Sequence, residues 1–508
     1  MAALLALGVA ELVAGWWRSA PSLVVAVGDT VIDEAPDQAV STGIDLFGTN
    51  DKQALVIGTV VLCAVLGALT GLASRRRPVV APVVFGAFAV LGVAASTSSE
   101  GSSLAGAAVA GGVGAGAGVL ALRLLLRSAE RWTPSGAAAE GPAPSPSVLG
   151  QEPRRTFLVQ AGLVALGAAC AGGLGRRLAG RFSVADIRAG IDVDPASIVT
   201  GEAVHRPAFS VPGLVDRVTT NEDFYRIDTA IVVPQVDPGR WQLDVTGLVR
   251  EPVSYTFDEL VARASFDDEV TLACVSNGVG GDLVGNARWT GVPLRDLLEP
   301  AGVLPRGTQL LGVSVDGFTA GFPTDLALDG RPAIVAVGMN GEPLPVDHGF
   351  PARLVVSGLY GYVSATKWLS EIRLTSFDDV DGYWIPRGWA KEAPIKIQSR
   401  IDTPRTGATI APGLVPIAGV AWAQPHGIER VQVEVDGGPW TDARLDDLAT
   451  VHTWRQWYLP WEATPGEHVL AVRATNGSGT VQTSHRQGPV PDGSTGHHTV
   501  TVQVRAGA

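Results

Sequence analysis

Long apolar runs without charges fill the first third of the chain and predict helices that cross a membrane. Residues 54–74 form a run of 21 residues with no charged side chain, close to the roughly 20 needed to cross a bilayer. Similar runs lie at 79–97, 104–122 and 157–175, with a shorter one at 2–17. The sequence therefore predicts about four transmembrane helices within residues 1–127 and a fifth within 154–181.

The segment before the fifth predicted helix has the composition of a flexible linker. Residues 133–152 are rich in Pro, Ala, Gly and Ser, which predicts a linker over 128–153. The helix that follows begins PRRTFLVQAGLVALGAA at residue 153. This start resembles a twin-arginine export signal, and a positively flanked anchor helix is the alternative.

Basic residues between the apolar runs predict the orientation of the helices. Arg75, Arg76 and Arg77 follow the second run, whereas the loop 98–103 has no basic residue. Five arginines lie between the fourth and fifth runs: Arg123, Arg127, Arg131, Arg154 and Arg155. Because short cytoplasmic loops are enriched in Lys and Arg, we expect a multi-pass protein of the cell membrane. Everything after residue 181 is then on the extracytoplasmic side.

From residue 182 to 394 short apolar strands alternate with amphipathic helical pieces, which predicts an α+β domain. Residues 241–249 alternate in polarity like a strand. Thr256, with Glu259 three residues later, forms the capping box that begins a helix. A second helical piece lies at 292–302, and further strands are predicted at 310–316, 333–339 and 352–358.

Residues 395–508 have a different pattern of about seven short strands separated by Gly, Pro and Asn turns. The sequence VDGG at 435–438 is typical of a hairpin turn. This pattern predicts an immunoglobulin-like β-sandwich without the usual disulfide pair.

Composition and charge exclude some functions. The chain has 38 Lys and Arg against 50 Asp and Glu, and residues 182–508 carry a net charge of −14. No nucleic-acid partner is therefore expected. All eight histidines lie at position 205 or later, so the predicted membrane helices cannot hold a bis-histidine haem.

Cys274 is the one cysteine after residue 170, and it precedes the glycine-rich sequence VSNGVGG. A lone cysteine has three interpretations. It is a buried structural thiol, a nucleophile paired with a histidine such as His348, or a thiolate ligand to a soft or redox metal. Exported chains usually carry cysteines in pairs, which weakens the first interpretation.

The sequence around Cys274 resembles the sulfite oxidase family of molybdopterin enzymes. TLACVSNGVGG (271–281) and ARWTGVPLRDLL (287–298) are similar to the family's cysteine segment. NEDFYRIDTAIVVP (221–234) and LPVDHGFPARLVVSGLYGYVSATKWLSEI (344–372) resemble further motifs of the family, in the same order. The resemblance covers roughly residues 205–505 and includes the C-terminal sandwich, which in the family is a dimerisation domain.

The resemblance implies a Mo-molybdopterin cofactor whose metal is bound by the pterin dithiolene, oxo ligands and the Cys274 thiolate. Arg353 and Lys367 would bind the phosphate of the pterin, and His348 would donate a hydrogen bond. Motif positions also assign cofactor contacts to Asn221, Tyr225, Arg226, Asp228, Asn277, Asp316, Ser364 and Thr366. Tyr383 and Arg387 lie where the family has an active-site tyrosine and a nearby basic group, which assigns them to the substrate. The alternative is an aromatic cluster packed between two domains.

One departure changes the substrate that the resemblance implies. Sulfite-oxidising members have an arginine five residues after the cysteine, where this chain has Val279. We expect oxygen-atom transfer on a small substrate, which is a sulfoxide, an N-oxide or a sulfur oxyanion. The alternatives are an inactive binding or sensor protein that retains the fold, and a cysteine hydrolase.

The expected partners follow from what the sequence contains. The chain has no C-x-x-C-H haem motif, so electrons would pass to or from a separate protein or the quinone pool. The other partners expected are the lipid bilayer and a second copy of the chain, bound through the C-terminal domain. The overall prediction is an all-α transmembrane bundle, an α+β molybdopterin domain at 182–394 and an immunoglobulin-like domain at 395–508.

Overall fold

The computed structural model describes residues 1–17, 20, 22–35, 46–47, 51–96, 103–132, 151–193, 209–447 and 450–506. The chain forms two compact units. The first contains Met1–Ser183 and Ala230–Gln235, and the second contains Val184–Thr229 and Val236–Ala508. Most of the predicted linker lies outside the described residues.

The first unit is helical. Its helices are α1 (Ala2–Trp16), α2 (Leu23–Glu34), α3 (Asp51–Ser74), α4 (Val80–Ser96), α5 (Leu104–Trp132) and α6 (Gln151–Ala179). Among the described residues, three segments are long and apolar enough to cross a membrane: Lys52–Ser74, Leu104–Glu130 and Arg155–Ala179. Helices therefore lie at all five predicted positions, but those at α1 and α4 are shorter than a typical span. Helix α2 was not predicted from the sequence.

Helices α1 and α6 pack closely because glycine lies on both contact surfaces. A Cβ atom added at Gly8 would lie 2.6 Å from the Ala168 carbonyl oxygen. A Cβ atom at Gly175 would lie 2.5 Å from the Glu11 carbonyl oxygen. Small residues of this kind let helix backbones approach within an apolar bundle.

The second unit begins with an α+β region. Its strands are β1 (Gln242–Gly247), β2 (Val253–Thr256), β3 (Phe266–Ala273), β4 (Val284–Pro293), β5 (Gln309–Ser314), β6 (Thr319–Pro323), β7 (Ala333–Met339), β8 (Glu342–Pro343), β9 (Arg353–Val356) and β10 (Leu369–Thr375). Its α-helices are α7 (Ala185–Ala189), α8 (Phe257–Arg263), α9 (Leu294–Ala301) and α10 (Gly361–Ser364), and Val346–His348 forms a 3₁₀ turn. The predicted α+β organisation is confirmed.

Two five-stranded sheets organise this region. One has the order β2-β1-β10-β5-β6, in which β1 and β10 are parallel. The other has the order β3-β4-β7-β8, with β9 also paired to β7. The predicted capping box begins α8, where the Thr256 N–H donates to Glu259 Oε2 at 2.8 Å.

The C-terminal region consists of two packed sheets. Its strands are β11 (Gln398–Thr403), β12 (Thr409–Ile410), β13 (Gly413–Trp422), β14 (Ile428–Val435), β15 (Thr441–Asp442), β16 (Arg444–Leu445), β17 (Arg455–Ala463), β18 (Gly466–Asn476) and β19 (His498–Val504). The sheet orders are β11-β13-β17-β16 and β12-β19-β18-β14-β15. Ile417 and Trp457 of one sheet share a core with Val431, Leu470 and Val500 of the other. The region is a β-sandwich, called the sandwich below.

Candidate functional site

Cys274 lies directly after β3, at the start of the glycine-rich loop. Its N–H donates to the Leu283 carbonyl at 2.9 Å, and its carbonyl accepts from the Asn277 N–H at 3.1 Å. The Asn277 side-chain oxygen accepts from the Leu283 N–H at 2.9 Å. These bonds close residues 275–283 into a compact loop, called the cysteine loop below. Asn277, predicted to contact the cofactor, bonds within this loop.

Cys274 lines a cleft of about 730 Å³ in the second unit. The lining residues are Phe224, Tyr225, Ile227, Asp228, Thr229, Cys274, Ser314, Asp316, Phe318, Arg353, Gly361, Tyr362, Ala365, Lys367, Trp368 and Trp384. Six of these were predicted from the sequence: Cys274, Tyr225, Asp228, Asp316, Arg353 and Lys367.

Arg353 is a buried cation without an acidic partner among the described residues. Its guanidinium donates to the His348 carbonyl at 3.2 Å and lies 5.0 Å from the centre of the Trp289 ring. Burial lowers the pKa of Arg353 to about 10, so the group is still charged at neutral pH. A buried, unpaired positive charge is costly unless a ligand supplies the negative charge.

Lys367 is the second buried cation of the cleft, and it is paired. Its Nζ donates to Asp228 Oδ2 and to the Asp347 carbonyl, both at 3.0 Å. Burial lowers the pKa of Lys367 to about 8, while the Asp228 carboxylate acts in the opposite direction. Arg226 also pairs with Asp228, at 3.1 Å. Arg226 is more exposed and does not line the cleft.

His348 has one ring nitrogen bonded and the other without a partner among the described residues. Its Nε2 lies 2.9 Å from the Asn221 carbonyl, which can only accept, so Nε2 carries the hydrogen. Burial lowers the pKa of His348 to about 4, which keeps the ring neutral. The buried Nδ1 is therefore an acceptor without a partner. The resemblance implied that His348 donates a hydrogen bond to the cofactor, but its one ring N–H already donates to the Asn221 carbonyl.

The remaining predicted cofactor residues support the cleft instead of lining it. The Asn221 side chain bonds with Asn340 at 2.8 Å. Ser364 Oγ donates to the Tyr360 carbonyl at 3.0 Å, at the end of α10. Thr366 has a buried hydroxyl without a partner in the described structure, and its carbonyl accepts from the Leu354 N–H at 2.9 Å.

Tyr383 and Arg387, predicted to contact the substrate, contact each other beside the cleft. The Arg387 guanidinium lies 3.7 Å from the centre of the Tyr383 ring, and its Nη1 donates to the Tyr383 carbonyl at 2.7 Å. Neither residue lines the cleft. Their neighbours Phe318 and Trp384 do, with ring centres 5.6 and 5.2 Å from that of Tyr383.

The aromatic wall of the cleft was not predicted from the sequence. Phe318, Tyr383, Trp384, Trp389 and Tyr362 form a continuous series in which neighbouring ring centres lie 5.2 to 6.4 Å apart. Three of these rings face the cleft: Phe318, Trp384 and Tyr362. The dense aromatic sequence DGYWIPRGW was the available signal, but it did not show which rings reach the site.

Gly349 lets the two cations of the cleft lie close together. It has φ +111°, and an added Cβ would lie 3.0 Å from Lys367 Cβ and 3.1 Å from Arg353 Cβ. We expect Gly349→Ala to destabilise the protein by about 1–3 kcal/mol, through backbone strain. We also expect cofactor occupancy to fall, because both cations are displaced.

The control is Gly330→Ala, at a glycine with φ +97° and open space around its Cβ position. Thermal unfolding and the molar ratio of molybdenum to protein check the effect. Equal occupancy in the two variants would contradict the role given to Gly349.

The comparisons with known proteins agree with the cleft geometry. The family model "Oxidoreductase molybdopterin binding domain" matches residues 230–384. Mitochondrial sulfite oxidase of Macaca fascicularis is 29% identical over 50% of this chain and 55% of that protein. NADH nitrate reductase of Solanum lycopersicum is 33% identical over 30% of this chain and 19% of that protein. The chain thus spans about half the length of the curated sulfite oxidase that it matches.

A solved structure has the same fold. The sulfane dehydrogenase SoxCD from Paracoccus pantotrophus is similar with a TM-score of 0.50 at 24% sequence identity. The similarity covers 62% of this chain and 96% of that chain.

The residues of the cleft fit a molybdopterin cofactor. Its lining holds a buried thiol and an unpaired buried guanidinium, which are groups that would bind a metal and a phosphate. His348, whose buried Nδ1 has no partner among the described residues, lies outside this lining. The cysteine-hydrolase alternative is not supported, because among the described residues the Cys274 thiol interacts with Ser276 and makes no hydrogen bond to His348. Residues 230–384 therefore form a molybdopterin-binding oxidoreductase domain similar to that of the sulfite oxidases.

Proposed function

We propose that this protein is a membrane-anchored molybdenum enzyme that transfers an oxygen atom to or from a small uncharged sulfur or nitrogen compound. The observation that carries the proposal is the presence of Cys274 and the unpaired Arg353 in one cleft. An inactive protein that retains the fold is not favoured, because the thiol and the buried cations are retained together.

The bound molybdenum would supply two-electron redox chemistry and exchange of an oxygen atom with the substrate. The chain's own residues bind and orient the cofactor. Cys274 provides a sulfur ligand. Burial raises the pKa of its thiol, so the thiol keeps its proton in the cofactor-free protein and loses it when the metal binds. Arg353 and Lys367 bind the phosphate, and His348 Nδ1 accepts a hydrogen bond. Tyr225 lines the same cleft as a neutral phenol, because burial raises its pKa.

The walls of the cleft favour a substrate without negative charge. Position 279 is valine, so the cysteine loop lacks the arginine of sulfite-oxidising relatives. The aromatic wall formed by Phe318, Trp384 and Tyr362 is apolar, and the Asp316 carboxylate lies in the same lining. An anion would meet the Asp316 charge, whereas a sulfoxide, thioether or N-oxide can pack on the aromatic rings.

Steady-state kinetics with an artificial electron donor or acceptor test this substrate class. We expect kcat/KM for dimethyl sulfoxide or trimethylamine N-oxide to exceed that for sulfite by about tenfold or more, because differential binding decides specificity. Trp384→Ala should lower kcat/KM for an aryl sulfoxide while molybdenum content stays constant. Trp440→Ala, in the sandwich, is the matched control. A preference for sulfite in the wild-type protein would overturn the proposed substrate class.

Membrane anchoring is part of the proposal and is supported by the three long apolar helices. The distribution of arginines favours an extracytoplasmic catalytic domain. A separate electron-transfer protein or quinone would then exchange electrons with the cofactor, and the sandwich would provide a surface for a homodimer. Retention in the membrane after alkaline carbonate extraction is expected, and release of the protein would contradict anchoring.

Lys367 makes cofactor binding depend on pH. In the empty cleft its pKa is lowered from 10.5 to about 8, so it is charged below pH 8 and neutral above. An anionic ligand stabilises the charged form of Lys367. Above pH 8, Lys367 therefore takes up a proton when the cofactor binds. We expect the affinity of the cofactor-free protein for molybdopterin to fall above pH 8, by up to about tenfold per pH unit.

Reconstitution of cofactor-free protein between pH 6.5 and 9.5 measures this dependence. Lys367→Arg should remove the fall in affinity, because an arginine side chain keeps its charge across this range. An identical fall in Lys367→Arg and in wild type would show that another group is responsible.

A further inference from the structure

The cysteine loop contacts the sandwich at two neighbouring residues. Gly280, with φ +79°, lies against the ring of His498, the first residue of β19. The Gly281 carbonyl accepts a hydrogen bond of 2.9 Å from Arg400 Nη1, on β11. Neither Arg400 nor His498 lines the cleft. The sandwich therefore contacts the loop that begins at Cys274 without reaching the cofactor site itself.

Arg400 is held in place by its own strand. The side chain is buried, and its Nε donates to Asp402 Oδ1 at 2.6 Å. The other oxygen of Asp402 is buried and has no hydrogen-bond partner in the described part of the chain. Both charges are thus desolvated and paired, which makes the position of the guanidinium well defined.

His498 is equally well fixed. Its Nδ1 accepts from the Ile401 N–H at 3.0 Å, and burial lowers the pKa of His498 to about 4. The ring is therefore neutral, with its hydrogen on Nε2. A Cβ atom at position 280 would overlap the imidazole ring. Only glycine fits at position 280, because the backbone there has a positive φ and because the His498 ring leaves no room for a side chain.

We propose that Arg400 and His498 are positioning residues through which the sandwich fixes the cysteine loop and hence the Cys274 sulfur. This role rests on the proposed function of Cys274 as a metal ligand. A metal–thiolate bond requires the sulfur at a defined position, and residues outside the ligand set usually provide that orientation. The sandwich then contributes to the metal site in addition to any part in dimerisation.

The first test uses full-length protein produced without cofactor, with Cys63 and Cys170 replaced by serine so that Cys274 is the one thiol. The rate of Cys274 labelling by iodoacetamide reports how often the loop opens. We expect Arg400→Met to raise this rate by about tenfold or more. Arg430→Met, which removes an exposed arginine of the sandwich paired with Asp442, should leave the rate unchanged.

The second test uses a rescue. Gly280→Ala should displace the loop, raise the labelling rate of the cofactor-free protein and shift the sulfur-to-molybdenum charge-transfer absorption of the loaded protein. His498→Ala removes the ring that the new methyl group would overlap. The double variant Gly280→Ala with His498→Ala should therefore have a labelling rate and a charge-transfer absorption close to those of His498→Ala alone. Gly437→Ala is the matched control, because Gly437 has φ +71° and open space around its Cβ position.

The labelling measurement needs no metal, so it separates this inference from the proposed function. Wild-type labelling rates in both Arg400→Met and Gly280→Ala would overturn the positioning role, whatever Cys274 binds. If Gly280→Ala is labelled faster than wild type and the added His498→Ala change does not slow the labelling, the part assigned to His498 is overturned. If Arg400→Met does not fold, Arg400→Lys and the Gly280→Ala pair decide the result.

Discussion

Replacing Cys274 by serine should remove molybdenum from the purified protein and lower its turnover by more than about a hundredfold. Loss of a residue that merely orients a ligand already costs about 10–100-fold in metal affinity or activity. Loss of the ligand itself should cost more. A serine hydroxyl is a hard donor that holds its proton at neutral pH, whereas a redox-active molybdenum centre of this kind takes a soft thiolate. Metal analysis and pterin extraction on the same samples measure the effect.

The chain supplies two matched controls for this change. Cys63 and Cys170 are the other free cysteines, and both lie in helices of the first unit. Cys63→Ser and Cys170→Ser should retain molybdenum at the wild-type level. In the loaded wild-type protein Cys274 should resist thiol reagents, because its sulfur is bonded to the metal. Full molybdenum content in Cys274→Ser would refute its role as a ligand.

Replacing Arg353 by methionine should have opposite effects on cofactor binding and on the stability of the empty protein. Cofactor content should fall by about tenfold or more, since a charge-assisted contact to phosphate is lost. The empty protein should be equally stable or more stable, because methionine removes an unpaired buried charge. Molybdenum content and thermal unfolding of the cofactor-free protein measure the two effects.

Arg217 provides the comparison. It is also buried, but its Nε pairs with Glu269 Oε2 at 3.2 Å. Arg217→Met removes the cationic partner of the buried Glu269 carboxylate, to which the Asn286 amide still donates, and should destabilise the protein by about 3–5 kcal/mol. If Arg353→Met destabilises the empty protein to the same extent and keeps its cofactor, Arg353 is a structural cation and does not bind phosphate.

Local sequence patterns predicted much of the second unit correctly. Thr256 and Glu259 form the expected capping box, and the predicted strand 333–339 matches β7. Each feature depends on residues close together in the chain, where propensity and capping chemistry act. The unpredicted helix α2 contains Asp29 at its middle and Asp33 and Glu34 at its end, so its apolar run was too short to be recognised.

Residues of the cleft were predicted from the sequence only where they lie in a motif of the family. Cys274, Arg353 and Lys367 lie in distinctive sequences, and the fold brings them to one lining. Ser364 and Asn277 lie in the same motifs but bond to nearby backbone. Which side chain of a motif faces the cleft depends on the backbone conformation of each loop, and the sequence alone does not give that conformation.

The aromatic wall and the His348 hydrogen bond illustrate what requires the folded structure. Trp384 and Tyr362 come from different segments, and their common wall depends on tertiary packing. The Asn221 carbonyl, which accepts the hydrogen bond from His348 Nε2, lies 127 positions away along the chain. The unpartnered Nδ1 of His348 is therefore an acceptor, a conclusion that no local sequence pattern contains.

X-ray absorption at the selenium edge tests the bond between Cys274 and molybdenum most directly. The sample is full-length protein loaded with cofactor, in which selenocysteine replaces Cys274 and serine replaces Cys63 and Cys170. Selenium at position 274 should then have molybdenum as a directly bonded neighbour. A selenium atom surrounded by carbon alone, in a sample shown to contain molybdenum, would contradict metal binding by this residue.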